Sequence, residues 1–303
     1  MLEEVFDVIT PEQFNENRVE RGKEVEAIIY SPLVGEQITS EFLALIPNLR
    51  TFCCKSTGTD TLDFDVFRQR GVTWSNLPDV QSETCADMVF ALILSISRRI
   101  IEGSIRAKRP DMKKTSYTFL GQDVSGTTLG IVGMGSIGCI VAEKSKAFRM
   151  KVLYNSRRKR PDEDEAKLGA VYYPKLREML PLVDFLVISC ALTPETEGAI
   201  GAREFELMKP SSTLINIARG AIVDTDALVT ALQTGAIRAA ALDVTNPEPL
   251  PKDHPLLNMD NVLVTPHIAS STRGTRDKMV ELCIENVIAG LEGRIFPDGL
   301  RIC

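Results

Sequence analysis

The chain has 303 residues, of which 44% are hydrophobic and 25% are charged, and its formal net charge is −6 at pH 7. This length favours two domains over one, and the acidic balance argues against a general attraction to nucleic acid or to anionic membranes. The acidic start, from Met1 to Glu4, predicts no signal peptide, and no apolar run reaches the roughly 20 residues of a membrane span. The seven scattered cysteines have no metal-ligand spacing, so we expect reduced thiols in the cytoplasm and no metal site.

Short β-rich runs alternate with helical patterns along the chain, which favours parallel sheets built from βαβ units. The strands predicted before residue 80 are 5–9, 25–30, 50–55 and 72–75. One long apolar helix is then predicted over residues 83–101, followed by a polar, basic loop over 108–122.

From residue 128 the alternation becomes more regular, with strands predicted at 128–133, 150–155, 184–190, 213–218, 238–244 and 262–265. The helices predicted in this part include 137–148, 202–208, 225–233 and a last one over 274–291. The fold class is therefore α/β, with two doubly wound parallel-sheet (Rossmann-like) domains and an active site expected in the cleft between them. We assign residues 1–99 plus 273–303 to a flavodoxin-like substrate domain and residues 100–272 to a dinucleotide-binding domain.

The stretch GIVGMGSIG places Gly133, Gly135 and Gly138 directly after an apolar strand and before a helix. In a turn of this kind the missing side chains let the backbone approach a pyrophosphate at the positive N-terminus of the helix. Glycine turns also occur for packing alone, so the pattern gains its weight from the complete βαβ unit that follows.

The end of the next strand carries a basic run instead of a carboxylate. Dinucleotide-binding units normally place Asp or Glu there, about 20 residues after the glycine turn, to bind a ribose 2′-hydroxyl. Here the residues are Asn155, Ser156, Arg157 and Arg158. Guanidinium and hydroxyl groups suit a 2′-phosphate, so we expect NADPH to be preferred over NADH. A solvated surface turn or a nuclear-localisation-like run is the alternative, and Lys159 with Arg160 is the pair we expect to be solvated.

Three further apolar strands end near residues that could carry chemistry. The stretch TLINIARGA ends at Arg219, Glu248 lies just past the end of AAALDV, and NVLVTPHIA carries His267. Ligands of open α/β sheets bind outside the carboxyl ends of the strands, so the three side chains are expected at one crevice. An arginine fork suits a carboxylate, an imidazole can protonate an alkoxide, and a carboxylate beside it favours the imidazolium. Each residue taken alone could instead be structural.

The motifs GIVGMGSIG, INIARGAIVD, ALDVTNPEPLP and VTPHIASST occur in this order. With them, the stretch from Asn48 to Gly293 resembles the D-isomer-specific 2-hydroxyacid dehydrogenases, and within that family the animal glyoxylate reductase/hydroxypyruvate reductase branch. The resemblance implies NADPH-dependent reduction of a small 2-oxo acid to the D-2-hydroxy acid by a homodimer, with Arg219, Glu248 and His267 as the catalytic residues.

The resemblance also implies the remaining contacts. Together with the residues argued above, the cofactor contacts are expected at Gly133, Gly135, Ser136, Ile137, Gly138, Ser156, Arg157, Arg158, Cys190, Thr193, Ala218, Asp243, His267 and Ala269. Asp243 would contact the nicotinamide carboxamide. The loop KSTGTD is similar to the substrate loop of the family, so substrate contacts are expected at Thr57, Gly58, Arg219 and His267.

The chain departs from the family pattern at several points. It opens at what matches the second strand of the family, so we expect the first domain to lack its first strand. Thr57 stands where Val is common, and Ala269 stands where Gly is usual. The arm near residue 115 lacks the tryptophans of the nearest relatives, which leaves Tyr117 and Phe119 as candidates for substrate contacts. Two other hypotheses remain: a nucleotide-sensing corepressor-like module on the same scaffold, and an inactive truncated isoform.

Overall fold

The computed structural model describes residues 2–32, 37–111, 119–294 and 296. They fall into two compact units, Met1–Gln81 with Ser271–Cys303, and Ser82–Ser270. No helix in this described part of the chain has the length and apolarity to cross a membrane. Nor does it contain a group of three or more His, Cys, Asp or Glu side chains that could hold a metal ion.

The regular elements alternate between helix and strand. The strands are β1 (Ala27–Tyr30), β2 (Thr51–Cys54), β3 (Thr73–Ser75), β4 (Thr128–Val132), β5 (Lys151–Asn155), β6 (Ala170–Tyr172), β7 (Phe185–Ile188), β8 (Thr213–Asn216), β9 (Ala239–Leu242) and β10 (Val262–Val264). The helices are α1 (Pro11–Glu16), α2 (Arg18–Gly22), α3 (Ser40–Ala44), α4 (Phe64–Gln69), α5 (Ser82–Ser97), α6 (Ile100–Ala107), α7 (Ser136–Ser145), α8 (Asp162–Leu168), α9 (Leu176–Met179), α10 (Ala202–Leu207), α11 (Thr225–Thr234) and α12 (Arg273–Leu291).

The unit formed by the two ends of the chain contains a parallel sheet in the order β1-β2-β3. Its central strand is buried on both faces, and successive side chains alternate between two apolar clusters. Phe52 packs with Phe67 on one face, whereas Cys53 packs with Met279 and Val287 of α12 on the other. The last helix therefore covers one face of this sheet.

The strand predicted at residues 5–9 is absent. Residues Leu2–Glu4 form a single 3₁₀ turn, and the segment after it pairs with no described strand. Val5 and Val8 are 49% and 37% exposed, so their β-branched side chains are not packed in a sheet. A β-rich run becomes a strand only when a neighbour satisfies its backbone groups, and this segment has no such neighbour within the described residues.

The central unit contains a seven-stranded parallel sheet in the order β10-β9-β8-β7-β4-β5-β6. The chain starts in the middle at β4, builds outward through β5 and β6, and then returns to the other side at β7. This reversal is the topological switch point at which doubly wound sheets bind ligands. Two apolar clusters bury the faces of the sheet. The predicted α/β class with parallel sheets is confirmed, and the seven-stranded sheet is doubly wound.

Three details differ from the sequence-based expectations. The predicted helix 83–101 is two helices, because Arg99 adopts a left-handed conformation with φ 51° between α5 and α6. The short strand β6 was not predicted. The helix α5, which the expected boundary at 99/100 places in the first domain, packs on α7 and groups with the central unit instead. Its apolar face contacts the central sheet at β9, and this burial decides where it belongs.

Candidate active site

The glycine turn after β4 has the geometry of a phosphate cradle. Gly133 has φ 101°, and a Cβ atom there would collide with the backbone of Cys190. A Cβ atom at Gly138 would collide with the carbonyl of Gly133, so these two glycines allow tight packing of the turn. Gly135, in contrast, faces open space, and Ser136 begins α7 with an exposed side chain. Unpaired amides at a helix N-terminus beside open space fit a pyrophosphate.

The basic end of β5 lies beside this turn, because the amide of Gly133 donates to the carbonyl of Asn155 at 2.8 Å. Ser156 is half-buried and its hydroxyl donates to the carbonyl of Arg158 at 2.7 Å. The side chains of Arg157 and Arg158 are exposed and have no ion pair with any described residue. The end of β5 therefore presents, next to the glycine turn, two guanidinium groups that no described residue neutralises in an ion pair.

The neighbouring loop after β7 carries Thr193 and Glu195. A hydrogen bond from Thr193 and one from its own backbone amide lower the pKa of the Glu195 carboxyl, and the positive charge of Arg157 adds to this effect. The Arg157 side chain is therefore close enough to the 193–195 loop to act on it electrostatically. The Cys190 thiol lies in the same loop, against Gly133, and burial raises its pKa.

The other two members of the basic run, which the sequence predicts to be solvated, have side chains that are 49% and 40% exposed and that also form ion pairs. Lys159 pairs with Asp162 at 2.6 Å and with Glu165 at 3.2 Å. Arg160 pairs with Asp164 at 2.8 Å. These carboxylates belong to the acidic first turn of α8, where negative charge is favourable. In this basic run, Lys159 and Arg160 form ion pairs with the first turn of α8, whereas Arg157 and Arg158 extend from the end of β5.

Arg219 lies in the loop between β8 and a 3₁₀ turn over Gly220–Ile222. Its guanidinium donates to the carbonyl of Ala218 at 2.9 Å, and its own carbonyl accepts a hydrogen bond from Asn216 Nδ2 at 2.9 Å. Gly220 packs so closely on the backbone of Thr245 that any side chain there would collide. The loops after β8 and β9 are therefore in direct contact.

Glu248 and His267 form a short hydrogen bond of 2.6 Å between Oε1 and Nδ1. Burial raises the pKa of the Glu248 carboxyl, but the hydrogen bond and charge of His267, the amide of Thr245 and the charge of Arg219 outweigh it, so the pKa falls below its usual value. The carboxylate is therefore ionised at neutral pH and can only accept, which makes Nδ1 the donor. The imidazole Nε2 has no partner in the described part of the chain. The peptide bonds before Pro247 and Pro249, on either side of Glu248, are cis.

Asp243 is 1% exposed and lies directly after β9. Its carboxylate accepts from Thr265 Oγ1 at 2.5 Å and from the amides of Ile268 and Ala269 at 2.9 and 2.8 Å. Its carbonyl accepts from the amide of His267 at 2.8 Å. The loop that carries His267 is thus bound to Asp243 on both sides of the histidine.

Residues 90–269 of the chain match the D-isomer specific 2-hydroxyacid dehydrogenase, NAD binding domain. The chain belongs to this family. It is 40% identical to the glyoxylate reductase of Thermococcus onnurineus over 98% of its own length and 90% of that protein. It is 43% identical to the glyoxylate/hydroxypyruvate reductase B of Pectobacterium atrosepticum over 86% of its length and 82% of that protein. These relatives are archaeal and bacterial, and the likeness to the animal branch stays a prediction.

Two solved dehydrogenase structures illustrate the range of cofactors in proteins of similar fold. The NADPH-dependent glyoxylate/hydroxypyruvate reductase of Sinorhizobium meliloti, in complex with NADP and malonate, is 29% identical, has a TM-score of 0.80 and matches 94% of this chain and 83% of its own. The D-lactate dehydrogenase of Aquifex aeolicus, complexed with NAD and lactic acid, is 32% identical, has a TM-score of 0.81 and matches 93% and 87%. Family membership makes this chain an NAD(P)-dependent dehydrogenase but does not choose between the two nicotinamide cofactors.

The remaining predicted residues lie in other parts of the dehydrogenase. Thr57, which precedes Gly58 in the unit formed by the chain ends, donates its hydroxyl to the carbonyl of Leu77 at 2.7 Å and accepts from Gln81 at 3.0 Å. His254, the other histidine of the chain, accepts a hydrogen bond from the amide of Leu256 and caps a 3₁₀ turn. Tyr117 lies outside the described residues. Phe119 packs under two guanidinium groups, those of Arg99 and Arg106.

Sequence reasoning missed the roles of two residues in this dehydrogenase site, Asn216 and Thr265. Asn216 is the last residue of β8, is 1% exposed and holds the Arg219 loop, whereas Thr265 follows β10 and binds Asp243. A signal was present, because both are polar residues that directly end or follow an apolar strand in the motifs INIARG and VLVTPH. A polar side chain at such a place, when buried, must find a hydrogen-bond partner.

Proposed function

We propose that this chain reduces a small 2-oxo acid, glyoxylate or hydroxypyruvate, to the D-2-hydroxy acid by hydride transfer from NADPH. The single observation that carries the proposal is the 2.6 Å hydrogen bond from His267 Nδ1 to Glu248, with Arg219 close enough to lower the pKa of that carboxyl. A cation, a proton donor and its carboxylate partner are the groups that reduction of a 2-oxo acid requires.

Each group has a separate task in this proposal. The Arg219 guanidinium binds the substrate through its carboxylate or carbonyl oxygen, in the two-point geometry that arginine favours. His267 donates the proton on Nε2 to the developing alkoxide, while the Glu248 carboxylate on Nδ1 fixes the ring orientation and stabilises the imidazolium. A bound nicotinamide supplies the hydride.

The cofactor preference is proposed from the end of β5. Arg157 and Arg158 have no ion pair among the described residues, and no carboxylate stands at the position that would bind a ribose 2′-hydroxyl. Charge-assisted hydrogen bonds contribute about 1.5–3 kcal/mol each. Two of them to a 2′-phosphate would favour NADPH over NADH by about 10²-fold or more.

Further contacts of the two ligands are proposed from the sequence pattern. The backbone amides of Thr57 and Gly58 are proposed to hold the substrate carboxylate, since the Thr57 hydroxyl is already bonded to Leu77. The cofactor would contact the turn from Gly133 to Gly138, and also Cys190, Thr193, Ala218, Asp243 and Ala269. These residues follow the ends of β4, β7, β8, β9 and β10, which is where ligands of doubly wound sheets bind.

We also propose that a second copy of the chain covers α6. Ile100, Ile101 and Ile105 on this helix are 49–60% exposed. Ile101 and Ile105 line a cavity of about 980 Å³ whose other walls include Met259 and Leu263. Charged side chains, among them Arg99, Glu102 and Arg106, line the same cavity, and exposed apolar side chains rimmed by charged ones commonly mark a protein interface. Light scattering coupled to gel filtration should give the parent protein twice the mass of one chain. The double variant Ile101→Asp with Ile105→Asp should have the mass of a single chain. A monomeric parent protein would refute the homodimer.

The decisive experiment follows NADPH oxidation by absorbance with glyoxylate, hydroxypyruvate and pyruvate, and repeats each assay with NADH. We expect turnover with at least one of the first two substrates and a higher kcat/KM with NADPH. A protein that binds NADH tightly and turns over no 2-oxo acid would instead match the corepressor-like hypothesis. A protein that binds neither cofactor would match the inactive isoform.

A further inference from the structure

The catalytic loops after β8 and β10 are each held by one buried polar residue, and these two residues are bonded to each other. Asn216 ends β8, Asp243 follows β9, and both are 1% exposed. The amide of Asp243 donates to the carbonyl of Asn216 at 2.9 Å. We call this hydrogen-bonded pair, Asn216 and Asp243, the frame.

On the β8 side, the frame determines the path of the backbone at Arg219. The Asn216 side chain accepts from the amide of Ala218 at 3.0 Å through Oδ1 and donates to the carbonyl of Arg219 at 2.9 Å through Nδ2. An amide side chain supplies the acceptor and the donor on two separate atoms, so it can serve both places at once. The backbone of the loop therefore folds back onto the Asn216 side chain, and the Arg219 guanidinium extends from this loop.

On the β10 side, the frame determines the backbone conformation of His267, which has φ 51°. This left-handed conformation is uncommon for a non-glycine residue and persists only where its surroundings hold it. Here the carbonyl of Asp243 accepts from the amide of His267, and its carboxylate accepts from the amides of Ile268 and Ala269. These three bonds hold the backbone at the histidine and just after it.

We propose that Asn216 and Asp243 are positioning residues that set Arg219 and His267 relative to each other through one hydrogen-bonded frame. The inference rests on the proposed function for its kinetic readout. It assigns Asp243 a task through the protein backbone, in addition to the contact with the nicotinamide expected from the family resemblance. A displacement of about 1 Å in a catalytic group costs about 10²-fold in rate, so a loosened frame has a measurable effect.

The first test is Asp243→Asn, which keeps the shape of the side chain. An asparagine has one acceptor oxygen and one NH₂ group, so at least one of the Ile268 and Ala269 amides loses its acceptor in either orientation. We expect kcat at saturating cofactor and substrate to fall by about 10–10²-fold; because Asp243 is also a proposed cofactor contact, the dissociation constant for NADPH, measured by fluorescence titration, should rise as well. A large rise in that constant with kcat intact would show a cofactor contact alone and would overturn the proposal.

A second readout is independent of turnover. The chain has only two histidines, so the imidazole ¹H–¹⁵N signals of His267 can be assigned by comparison with His254→Gln. The Nδ1 proton bonded to Glu248 should give a sharp downfield signal in the parent protein and a broadened or shifted one in Asp243→Asn. An unchanged signal would refute the positioning role. A sharp signal in a protein that reduces no 2-oxo acid would refute the proposed function and leave the geometry of the frame standing.

The matched control is Asp184→Asn. This carboxylate also accepts a backbone amide, that of Thr128 at 2.8 Å, and pairs with Lys209 at 2.8 Å, but it lies before β7, at the opposite ends of the strands. Its loss should lower the melting temperature and leave kcat and the His267 signals unchanged. If Asp184→Asn lowers kcat as much as Asp243→Asn, the effect is general destabilisation and the proposal fails.

Asn216→Asp tests the other half of the frame and remains informative if Asp243→Asn does not fold. The carboxylate keeps an acceptor for Ala218 but places an oxygen against the carbonyl of Arg219. We expect a higher KM for the 2-oxo acid together with a lower kcat, each by about 10-fold or more, with NADPH binding retained. Unchanged KM and kcat in a folded Asn216→Asp protein would remove Asn216 from the proposal.

Discussion

At the carboxyl ends of β8, β9 and β10 the reactive side chains are held by neighbours, whereas at the carboxyl end of β5 two arginines extend without a partner among the described residues. Glu248 is bonded to His267 at 2.6 Å, and the loop of His267 is bonded to Asp243. Arg157 and Arg158 are exposed and have no ion pair within the described residues. The protein therefore pre-organises the groups proposed for proton transfer, and it leaves the proposed phosphate-binding groups to be ordered by their ligand.

This difference follows from what each region has to do. Stabilising a transition state requires groups already in position when charge develops, because reorganisation during the reaction raises the barrier. Recognising a phosphate requires positive charge and donors within reach, and long arginine side chains can close on it after it arrives. Substitutions in the first region should therefore act on kcat, and those in the second on the choice of cofactor.

The largest expected effect is that of His267→Asn. Asparagine cannot donate the proton that the imidazolium provides, so we expect kcat to fall by about 10²–10⁴-fold, the usual scale for a general acid. The fold and NADPH binding should be retained, as checked by circular dichroism and fluorescence titration. If kcat stays largely intact across neutral pH, His267 is not the proton donor.

Arg157→Asp should have the next largest effect, and on the cofactor alone. A carboxylate repels a 2′-phosphate and accepts bonds from a 2′-hydroxyl, so the ratio of kcat/KM for NADPH to that for NADH should fall by about 10–10²-fold. The kcat with saturating NADH should stay within about 2-fold of the parent value. Equal kcat/KM for the two cofactors in the parent protein would already exclude a phosphate clamp at this strand end.

Glu248→Gln should lower kcat by less than His267→Asn and should move the pH profile. The lowered pKa of Glu248 means that its carboxylate is charged throughout the neutral range and loses that charge only when the pH falls through this lowered value. Glutamine carries no charge at any pH, so the acid limb of the activity profile that follows this carboxylate should disappear. An acid limb that is unchanged in Glu248→Gln would contradict the role assigned to this carboxylate.

The smallest expected effect belongs to Lys159→Ser, which is the matched control for Arg157→Asp. Lys159 is half-exposed and paired with Asp162 and Glu165, and exposed ion pairs contribute about 0–1 kcal/mol. The NADPH/NADH preference should change by less than about 2-fold and the melting temperature only slightly. A loss of preference as large as that of Arg157→Asp would show that the whole basic run binds the cofactor, and the division drawn here would be wrong.

Much of the fold was predictable because its pattern is local. The strands β4 to β10, apart from β6, were predicted from apolar runs that end at polar or glycine residues, and a parallel strand buried on both faces has that pattern. The segments that failed are those whose outcome depends on distant neighbours. Residues 5–9 have strand-forming side chains but no paired strand, and the three residues of β6 are too short to form a pattern.

The features of the candidate site likewise fall into those that the sequence predicts and those that depend on distant neighbours. Because charged and polar residues follow apolar strands, the sequence predicts Arg219, Glu248 and His267 near one edge of a sheet. It does not predict that Lys159 and Arg160 bind the first turn of α8, since that depends on how a loop folds back on a helix. Nor does it predict the partners of Asn216, which are the backbone atoms of its own loop.

By itself, the sequence determined the fold class, the succession of strands and helices along the chain and the residue types at the strand ends. These features depend on hydrophobic periodicity and on the change from apolar to polar residues, which involve only a few neighbouring residues. Only the tertiary structure decided that Asp243 accepts amides from a loop more than twenty residues away, and that Glu248 lies 2.6 Å from His267. Hydrogen bonds require positions defined to a few tenths of an ångström, and such positions follow from the packing of the whole sheet.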